Sequence, residues 1–251
     1  MRTCASVPNG RSVACSNLVS DGTSGAVPAA AAPAVAVDVL IFTIDAGDLQ
    51  ALLVQVKHGP FAGAWAFPGG LVPLSEAPEV TAERELFAQT GLHDLYLEQL
   101  RTFGDPARDP HAHVVSVAYF ALVPNRGLAY GAHPKYARAE WFPVRQLPSL
   151  AYDHATMAAY ALARLQAKLE YTNIVYSLLP AEFTLGELQH IYEIILGRAL
   201  DRRNFRKRIQ ALGLLRGLRR QRRGRHRPAQ LYAFTRREPM NVRMLRPRAS
   251  A

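Results

Sequence analysis

The sequence has little cysteine and no long apolar run. Its 251 residues include only two cysteines, Cys4 and Cys15, so neither a disulfide framework nor a cysteine-rich zinc site is expected. The most apolar stretch, residues 26–45, contains prolines and Asp38 and does not have the composition of a membrane span. We therefore expect a protein of the reducing cytoplasm that is not attached to a membrane.

Acidic residues are scarce at the C-terminal end. Residues 198–251 hold 18 Lys and Arg but only two Asp and Glu, a net charge of +16, whereas residues 1–197 have a net charge of −6. A basic end on an acidic body is typical of a nucleic-acid-binding domain, although a basic run can also be a solvated face. The pattern of the surrounding residues has to distinguish the two.

Regular patterns begin only after the first 33 residues. Residues 1–33 are rich in Ser, Ala, Gly and Pro, which predicts a disordered leader. Beyond it, strand patterns cover residues 34–44, 50–58, 95–104, 113–124 and 137–144, and a helical pattern covers 78–90 and ends at Gly91. This order predicts an α+β domain over residues 34–150. A linker over residues 151–172 contains a helix, 153–171, that either connects two domains, caps the first core or packs two subunits.

The remaining residues have the outline of a winged helix-turn-helix over residues 173–237, followed by a basic tail at 238–251. A short helix is expected at 174–180. A second helix starts at the N-cap Thr184, which forms a capping box with Glu187, and a third starts at the N-cap Asp201 and ends at Gly213. Two short apolar runs, 214–218 and 230–234, then flank an arginine-rich turn at 219–227, which predicts a basic hairpin or wing.

The third helix of this domain predicts a DNA-reading surface. Phe205, Ile209 and Leu212 recur at helical spacing and form its buried stripe, so its polar side chains face outward. In the major groove Arg reads guanine and Asn reads adenine, which favours DNA over RNA or a membrane. The predicted DNA-binding residues are Thr184, Arg202, Arg203, Asn204, Arg206, Lys207, Arg220, Arg222, Arg223, Arg225 and Arg227.

Residues 70–92 of the first domain resemble the Nudix box, G-x5-E-x7-R-E-U-x-E-E-x-G-U with U aliphatic. Gly70, Glu76, Arg84, Glu85, Leu86, Gly91 and Leu92 are in register, and the preceding Trp65–Gly70 segment is also typical of that family. Carboxylates at i, i+3 and i+4 share one helix face and gather Mg²⁺ against a diphosphate. Here that face holds Glu85, Ala88 and Gln89, so we predict no catalytic residue and no metal. The alternative is a weak hydrolase that recruits Asp105 or Asp109 from a loop.

A pocket can persist without catalysis and bind an effector through backbone amides, stacking and charge. The predicted effector-binding residues are Trp65, Phe67, Gly69, Gly70, Arg84, Glu85, Arg108 and Asp109. Residues 102–124 resemble a segment of Nudix proteins that handle ADP-ribose, in which an arginine usually stands at the position of His111.

Taken together, the chain after residue 34 resembles the Nudix-related transcriptional regulators of NAD metabolism, the NrtR type. This resemblance implies an α/β/α Nudix sandwich with a mixed sheet, a C-terminal winged helix and a homodimer that binds a roughly palindromic DNA operator. It also implies a repressor that senses ADP-ribose or a related NAD metabolite, although relatives of this architecture also respond to sugars. Two alternatives stay open: an active ADP-ribose pyrophosphatase with an accessory nucleic-acid-binding domain, which would use Mg²⁺, and a nonspecific nucleic-acid-binding protein.

Overall fold

The computed structural model describes residues 32–124, 135–222 and 228–242. Most of the predicted leader and most of the predicted basic tail lie outside these residues, as do Arg223, Arg225 and Arg227. Within the described ranges, no helix is both long and apolar enough to cross a membrane. The domain boundaries drawn from the sequence stay predictions.

A seven-stranded mixed sheet forms the centre of the first domain. Its strands are β1 (Ala34–Asp45), β2 (Asp48–Val56), β3 (Trp65–Ala66), β4 (Gly69–Leu71), β5 (Tyr96–Phe103), β6 (Val114–Leu122) and β7 (Tyr136–Pro143). β1 pairs in parallel with β6 and antiparallel with β2 and β4, while β7 and β3 both pair with β2. Because β1 is covered on both faces, most of it is an uninterrupted buried run.

Two helices cover opposite faces of this sheet. Helix α1 (Pro78–Thr90) packs Ala82 and Leu86 against one face, with Val37, Val39 and Ile41 of β1. Helix α2 (His154–Tyr171) packs against the other face, where Leu40 and Phe42 of β1 share a core with Met157 and Leu165. Alternate residues of β1 thus enter different cores, as the pleat of a strand requires. The predicted α/β/α sandwich with a mixed sheet is confirmed.

Local signals placed the ends of α1 correctly. The helix has a proline in its first turn and stops at Gly91, which adopts a left-handed conformation with φ of 64°. The five predicted strands are present with ends shifted by one or two residues. β3 and β4 were not predicted, since two or three residues are too few to show a periodic pattern.

The second domain is a winged helix. A 3₁₀ helix (Ile174–Leu178) precedes β8 (Phe183–Thr184), α3 (Leu185–Leu196), α4 (Arg202–Ala211), β9 (Leu215–Arg222) and β10 (Ala229–Phe234), and the three strands form an antiparallel sheet in the order β8-β10-β9. The predicted capping box of Thr184 and Glu187 is present, and Asp201 caps α4 through the backbone N–H of Asn204. α4 ends at Ala211, two residues before Gly213, which adopts φ of 65°.

One part of the predicted hairpin is wrong. The sequence predicts a turn at residues 219–222, but they belong to strand β9, in which Gln221 and Arg222 pair with Gln230 and Ala229 of β10. A strand whose side chains are mostly exposed needs no apolar alternation, so its arginines gave the pattern of a loop.

Helix α2 connects the two domains and also caps the first core. Leu165 and Leu169 are fully buried in a cluster that contains Phe42 of the sheet and Leu188 of α3. Gln166 of α2 donates a hydrogen bond to the backbone oxygen of Ile195 in α3 at 2.9 Å. Both of the within-chain alternatives for this helix therefore hold, and its use between subunits stays a prediction.

Candidate effector pocket and nucleic-acid interface

A cavity of about 510 Å³ opens beside strands β1 and β4 in the first domain. Its walls also include the loop before β6, the start of β7 and the residues around the start of α2. Five of the predicted effector-binding residues line it, namely Phe67, Gly69, Gly70, Arg108 and Asp109. The structure therefore brings together, around one cavity, residues that lie far apart in the sequence.

Asp38 lines the cavity and was not predicted as a site residue. This buried carboxylate accepts hydrogen bonds from the Ser116 hydroxyl at 2.6 Å and from the Arg108 guanidinium at 3.2 Å, and His154 Nε2 lies 3.4 Å from its other oxygen. Burial opposes ionisation of Asp38, but His154, Ser116 and Arg108 together hold its pKa below the ordinary value of 3.8. An anionic Asp38 thus organises three other elements of the fold.

His154 joins this carboxylate to the Nudix motif. Its Nδ1 accepts a hydrogen bond from the backbone N–H of Phe67 at 2.9 Å. Since Nδ1 acts as the acceptor, the ring proton that faces Asp38 belongs to Nε2. The first residue of α2 is therefore fixed by both β1 and the segment before β4.

Arg108 is buried between two carboxylates. Its guanidinium donates to Asp153, the residue before α2, at 2.9 Å through one terminal nitrogen and at 3.1 Å through Nε, in addition to Asp38. Burial lowers the pKa of Arg108, but the hydrogen bonds and charges of Asp153 and Asp38 outweigh this and raise it. The predicted effector-binding arginine lines the cavity, and it also connects β1 to the start of α2.

The Gly69–Gly70 backbone is held against the cavity by Tyr136 of β7. The Tyr136 hydroxyl accepts from the backbone N–H of Gly69 at 2.9 Å and donates to its carbonyl oxygen at 2.8 Å. Burial is the main reason why the pKa of Tyr136 is raised, so the hydroxyl stays protonated. A Cβ on Gly69 would lie 2.3 Å from the Val37 carbonyl oxygen, which excludes any other residue at this close approach.

An aromatic group forms another part of the wall. The rings of Tyr152 and His154 lie 5.3 Å apart between centroids, and those of His154 and Phe67 lie 5.6 Å apart. Phe61 packs on Tyr152 from outside the cavity lining at 4.4 Å. Phe67 and His154 are buried, so Tyr152 is the ring of this group that is partly exposed.

The face of α1 predicted to lack metal ligands has one carboxylate, and it is already paired. Glu85 is buried, and its Oε1 accepts from Lys135 Nζ at 2.9 Å and from Arg84 at 3.3 Å. Its Oε2 has no hydrogen-bond partner among the described residues. Ala88 is exposed and Gln89 is buried.

Neither loop carboxylate joins Glu85 in a metal site. Asp105 and Asp109 each accept a backbone N–H two residues later, from Ala107 and His111, at 2.9 Å. In the part of the chain that the structure describes, no three His, Cys, Asp or Glu side chains are grouped so as to hold a metal ion.

Three predicted effector-binding residues do not belong to the cavity lining described above: Trp65, Arg84 and Glu85. Trp65 packs edge-on against Phe142 at 4.8 Å and lies under the Arg138 guanidinium. Arg84 forms an ion pair with Glu76 at 3.1 Å. The cavity residues that sequence analysis missed include Asp38, Lys135, Tyr136 and His154, and only Asp38, an acid within an apolar strand, gave a signal that could have revealed it.

Helix α4 presents a cationic surface. Phe205 and Ile209 are buried, as predicted from their spacing, and the opposite side forms a shallow depression lined by Arg202, Arg203, Arg206, Lys207 and Gln210. The side chain of Asn204 is exposed in the first turn of the same helix. Four cations on two turns of one exposed helix form a surface that suits the phosphates and base edges of DNA.

The other described residues of the predicted DNA-binding set have partners within the domain. Thr184 accepts a hydrogen bond from the backbone N–H of Glu187 at 3.2 Å, and so serves as the N-cap of α3. Arg220 pairs with Glu182 and Arg222 with Glu187. These side chains are grouped near the start of α3, away from the lining of the α4 depression.

Comparison with known proteins agrees with this architecture. The NUDIX domain model matches residues 32–165, and the NrtR DNA-binding winged helix domain model matches residues 175–234. The fold and its two sites thus define a two-domain protein in which a Nudix domain precedes a DNA-binding winged helix. The chain belongs to the NrtR family, and the resemblance found in the sequence is confirmed.

Individual relatives cover most of the chain. It is 40% identical over 207 residues to the ADPR responsive transcriptional repressor NtrR of Acinetobacter baylyi, an alignment that spans 80% of this chain and 82% of the relative. It is 38% identical over 122 residues to an ADP-ribose pyrophosphatase of Methanocaldococcus jannaschii, spanning 49% and 69% of the two chains. The crystal structure of Shewanella oneidensis NrtR complexed with a 27mer DNA superposes with a TM-score of 0.71 at 33% identity, covering 80% of this chain and 93% of that one.

Proposed function

We propose that this protein is a transcriptional repressor whose winged helix binds operator DNA and whose Nudix domain binds ADP-ribose or a related NAD metabolite. The observation that carries the proposal is that the cavity beside β1 is present, whereas the face of α1 holds a single carboxylate, which is already paired with Lys135. A site of this kind binds its ligand without cleaving it. The relative from Acinetobacter baylyi, named as a repressor responsive to ADPR, supports the choice of ligand.

The cavity matches the chemistry of ADP-ribose in three ways. Tyr152, the partly exposed member of the aromatic group in the cavity wall, offers a flat surface for the adenine or a ribose. Gly69 and Gly70 line the same cavity, and Tyr136 holds the Gly69 backbone in place. Lys135 supplies positive charge at the same wall, and the nearby Asp109 carboxylate suits a ribose hydroxyl.

The absence of hydrolysis follows from the ligand set on α1. Substitution at phosphorus in this arrangement requires a divalent ion held by several carboxylates, which neutralises charge and activates water. Glu85 is the only acid on the relevant face, and Ala88 and Gln89 offer no anionic oxygen. We therefore propose that the chain has no catalytic residue and no resident metal or cofactor.

Helix α2 provides a physical connection between the two sites. Asp153 and His154, at its start, are held by the cavity residues Arg108 and Asp38, and Gln166, further along, bonds to α3. A ligand that changes the contacts of Arg108 or His154 would act on the first turn of this helix. Such coupling requires that ADP-ribose bind the DNA-competent and DNA-incompetent arrangements with different affinities.

The proposed DNA surface is the exposed face of α4, with Asn204 in its first turn. In a homodimer two such helices would be related by twofold symmetry, and the operator would then be roughly palindromic. The relative whose structure contains a 27mer DNA shares this domain and supports the proposal. Thr184, Arg220 and Arg222 would contribute by positioning α3 and β9.

An electrophoretic mobility shift assay tests the proposal directly. Purified protein is titrated onto DNA from upstream of NAD-related genes, with and without ADP-ribose, with free ribose and AMP as controls. We expect sequence-dependent binding whose affinity changes with ADP-ribose. DNA binding that is indifferent to every NAD-related metabolite would remove the effector, and equal binding to unrelated DNA with a steep salt dependence would instead identify a nonspecific nucleic-acid-binding protein.

The similarity to an ADP-ribose pyrophosphatase favours one second candidate, a hydrolase with an accessory DNA-binding domain. The two functions separate by the fate of ADP-ribose. Incubation with Mg²⁺ and chromatography for AMP would show turnover on the order of 1 s⁻¹ or faster for a hydrolase. A repressor would return ADP-ribose unchanged.

A further inference from the structure

The Nudix face of α1 holds a carboxylate in ion pairs with side chains of this chain. A ridge with several carboxylates repels a diphosphate unless a divalent cation lies between them. In this chain the ridge has one buried carboxylate, Glu85, and its Oε1 already pairs with Lys135 Nζ at 2.9 Å and with the Arg84 guanidinium at 3.3 Å. The residues present therefore do not fit a magnesium site.

Lys135 is placed to act on a ligand as well as on Glu85. It stands directly before β7 and belongs to the cavity lining, with 49% of its side chain exposed, whereas the Glu85 side chain is only 2% exposed. The ammonium thus lies between a buried anion and the open cavity. A lysine carries three N–H donors and binds phosphate as a compact point charge.

The ion pair lies against the bare backbone of Gly70. A Cβ at this position would lie 2.7 Å from Lys135 Nζ and 3.1 Å from Glu85 Oε1. The next residue along the cavity wall, Gly69, is fixed through both its backbone N–H and its carbonyl by Tyr136. The Lys135 ammonium is therefore held at a rigid part of the cavity wall, where it can donate to phosphate oxygens.

We propose that Lys135 is the built-in cation of this pocket: its ammonium group takes the place of the divalent metal, contacts the diphosphate of the effector and makes effector binding independent of Mg²⁺. The inference rests on the proposed function, because it takes ADP-ribose as the ligand. It assigns Lys135 as a ligand-binding residue that also neutralises Glu85. A nucleoside diphosphate compound should accordingly bind more tightly than the matching nucleoside, by an amount that depends on Lys135.

Isothermal titration calorimetry of the full chain with ADP-ribose tests metal independence. We expect wild-type protein to have the same dissociation constant, within about twofold, in excess EDTA and in millimolar Mg²⁺. The variant Lys135→Met should weaken binding by about tenfold or more, the size expected for a charge-assisted hydrogen bond, and Lys135→Arg should keep most of the affinity. Lys57→Met, a change at an exposed lysine outside the cavity lining, is the matched control and should bind as wild type does.

A double-mutant cycle separates ligand contact from support of Glu85. If Lys135 only neutralises the carboxylate, Lys135→Met will have no effect on ADP-ribose affinity once Glu85→Gln has removed that charge. We expect instead that Lys135→Met weakens ADP-ribose binding in the Glu85→Gln background as well, and leaves adenosine binding unchanged there. Circular dichroism melts of each variant confirm that it is folded, and the Glu85→Gln background removes the buried charge that keeps only Arg84 as its partner in the single variant.

The outcomes distinguish this inference from the proposed function. Wild-type protein that binds ADP-ribose only when Mg²⁺ is present would overturn the role of Lys135 and leave the effector intact, and so would a Lys135→Met variant that binds as tightly as wild type. Wild-type protein that binds no ADP-ribose in either buffer would remove the proposed effector itself. Equal affinity in the two buffers together with loss on Lys135→Met in both backgrounds establishes the built-in cation.

Discussion

Gln166, on α2, donates a hydrogen bond from its side-chain Nε2 to the backbone oxygen of Ile195, near the end of α3, at 2.9 Å. The last carbonyl oxygens of a helix have no partner within the helix, so this contact satisfies one of them from another element. The same α2 starts at His154 in the cavity wall. One helix therefore contacts the effector cavity at its start and the winged helix further along.

Replacing Gln166 by Leu should weaken the communication between the two sites. We expect the variant to bind ADP-ribose within about twofold of wild type, because Gln166 does not line the cavity, and to lose about 1 kcal/mol of stability with the hydrogen bond. The factor by which ADP-ribose changes operator affinity should shrink. Fluorescence anisotropy with labelled operator, with and without ADP-ribose, measures that factor.

Arg164→Leu is the matched control for Gln166, since Arg164 hydrogen-bonds to Tyr160 within the same helix. It should leave the effect of ADP-ribose on DNA binding unchanged. Unaltered coupling in the Gln166 variant would exclude this contact as part of the connection.

A second prediction concerns the charge on α4. Lys207→Ala removes one exposed cation from the proposed DNA surface and should weaken binding about uniformly across DNA sequences. The slope of log affinity against log salt should fall in magnitude by about 1, the contribution of one phosphate contact. Arg236→Ala, at an exposed arginine outside α4 that pairs with Glu238, should leave that slope unchanged. Equal slopes for wild type and the Lys207 variant would place the phosphates elsewhere.

The Asp38 cluster predicts a specific loss of stability in acid. Because the pKa of Asp38 is lowered by folding, its ionised form contributes stability that is present above its ordinary pKa of 3.8 and is lost as pH falls below that value. Asp38→Asn should lack this contribution, so its unfolding free energy should depend less steeply on pH below about 4. Removing one partner of a buried ion pair should also cost about 3 kcal/mol at neutral pH, where Arg108 keeps only Asp153. Urea titrations of both proteins across acidic pH provide the comparison, and parallel pH profiles would contradict the role of Asp38.

Restoring the missing acids should restore a response to magnesium. In the double variant Ala88→Glu and Gln89→Glu, a buried carboxylate replaces the Gln89 amide, so we expect a lower melting temperature without metal. Millimolar Mg²⁺ should then raise it, because an ion bound only by the folded state stabilises that state. Wild type and Ala88→Gln should show no such rise. A melting temperature of wild type that Mg²⁺ raises equally would mean that the chain already holds a metal.

The accuracy of each prediction from the sequence depended on how local its signal was. Helix α1 was predicted to the residue because its proline start and Gly91 end both act within a few positions. β9 was predicted in part as a turn because Arg219, Arg220 and Arg222 are exposed on a strand whose pairing with β10 no local pattern reports. The two-domain architecture was evident from the Nudix spacing and the cationic helix.

The cavity residues were harder to predict from the sequence than the helices, for a physical reason. In the sequence Asp38 is only a charge that interrupts an apolar run, since its partners Arg108 and His154 lie 70 or more positions later. No sequence motif includes Lys135, and only the fold brings it to Glu85. Chemistry made by convergence of distant side chains requires the tertiary structure, whereas a motif within one helix does not.

The parallel pairing of β1 with β6 has a consequence for folding during synthesis. Because β1 and β6 lie far apart in the sequence, they pair late. β1 cannot pair with β6 until β6 has left the ribosome. His154 is synthesised later still, and the winged helix follows it. A newly made chain therefore completes its effector cavity only after the start of α2 has emerged and its DNA-binding domain later still, and a truncated product that ends before α2 would have neither.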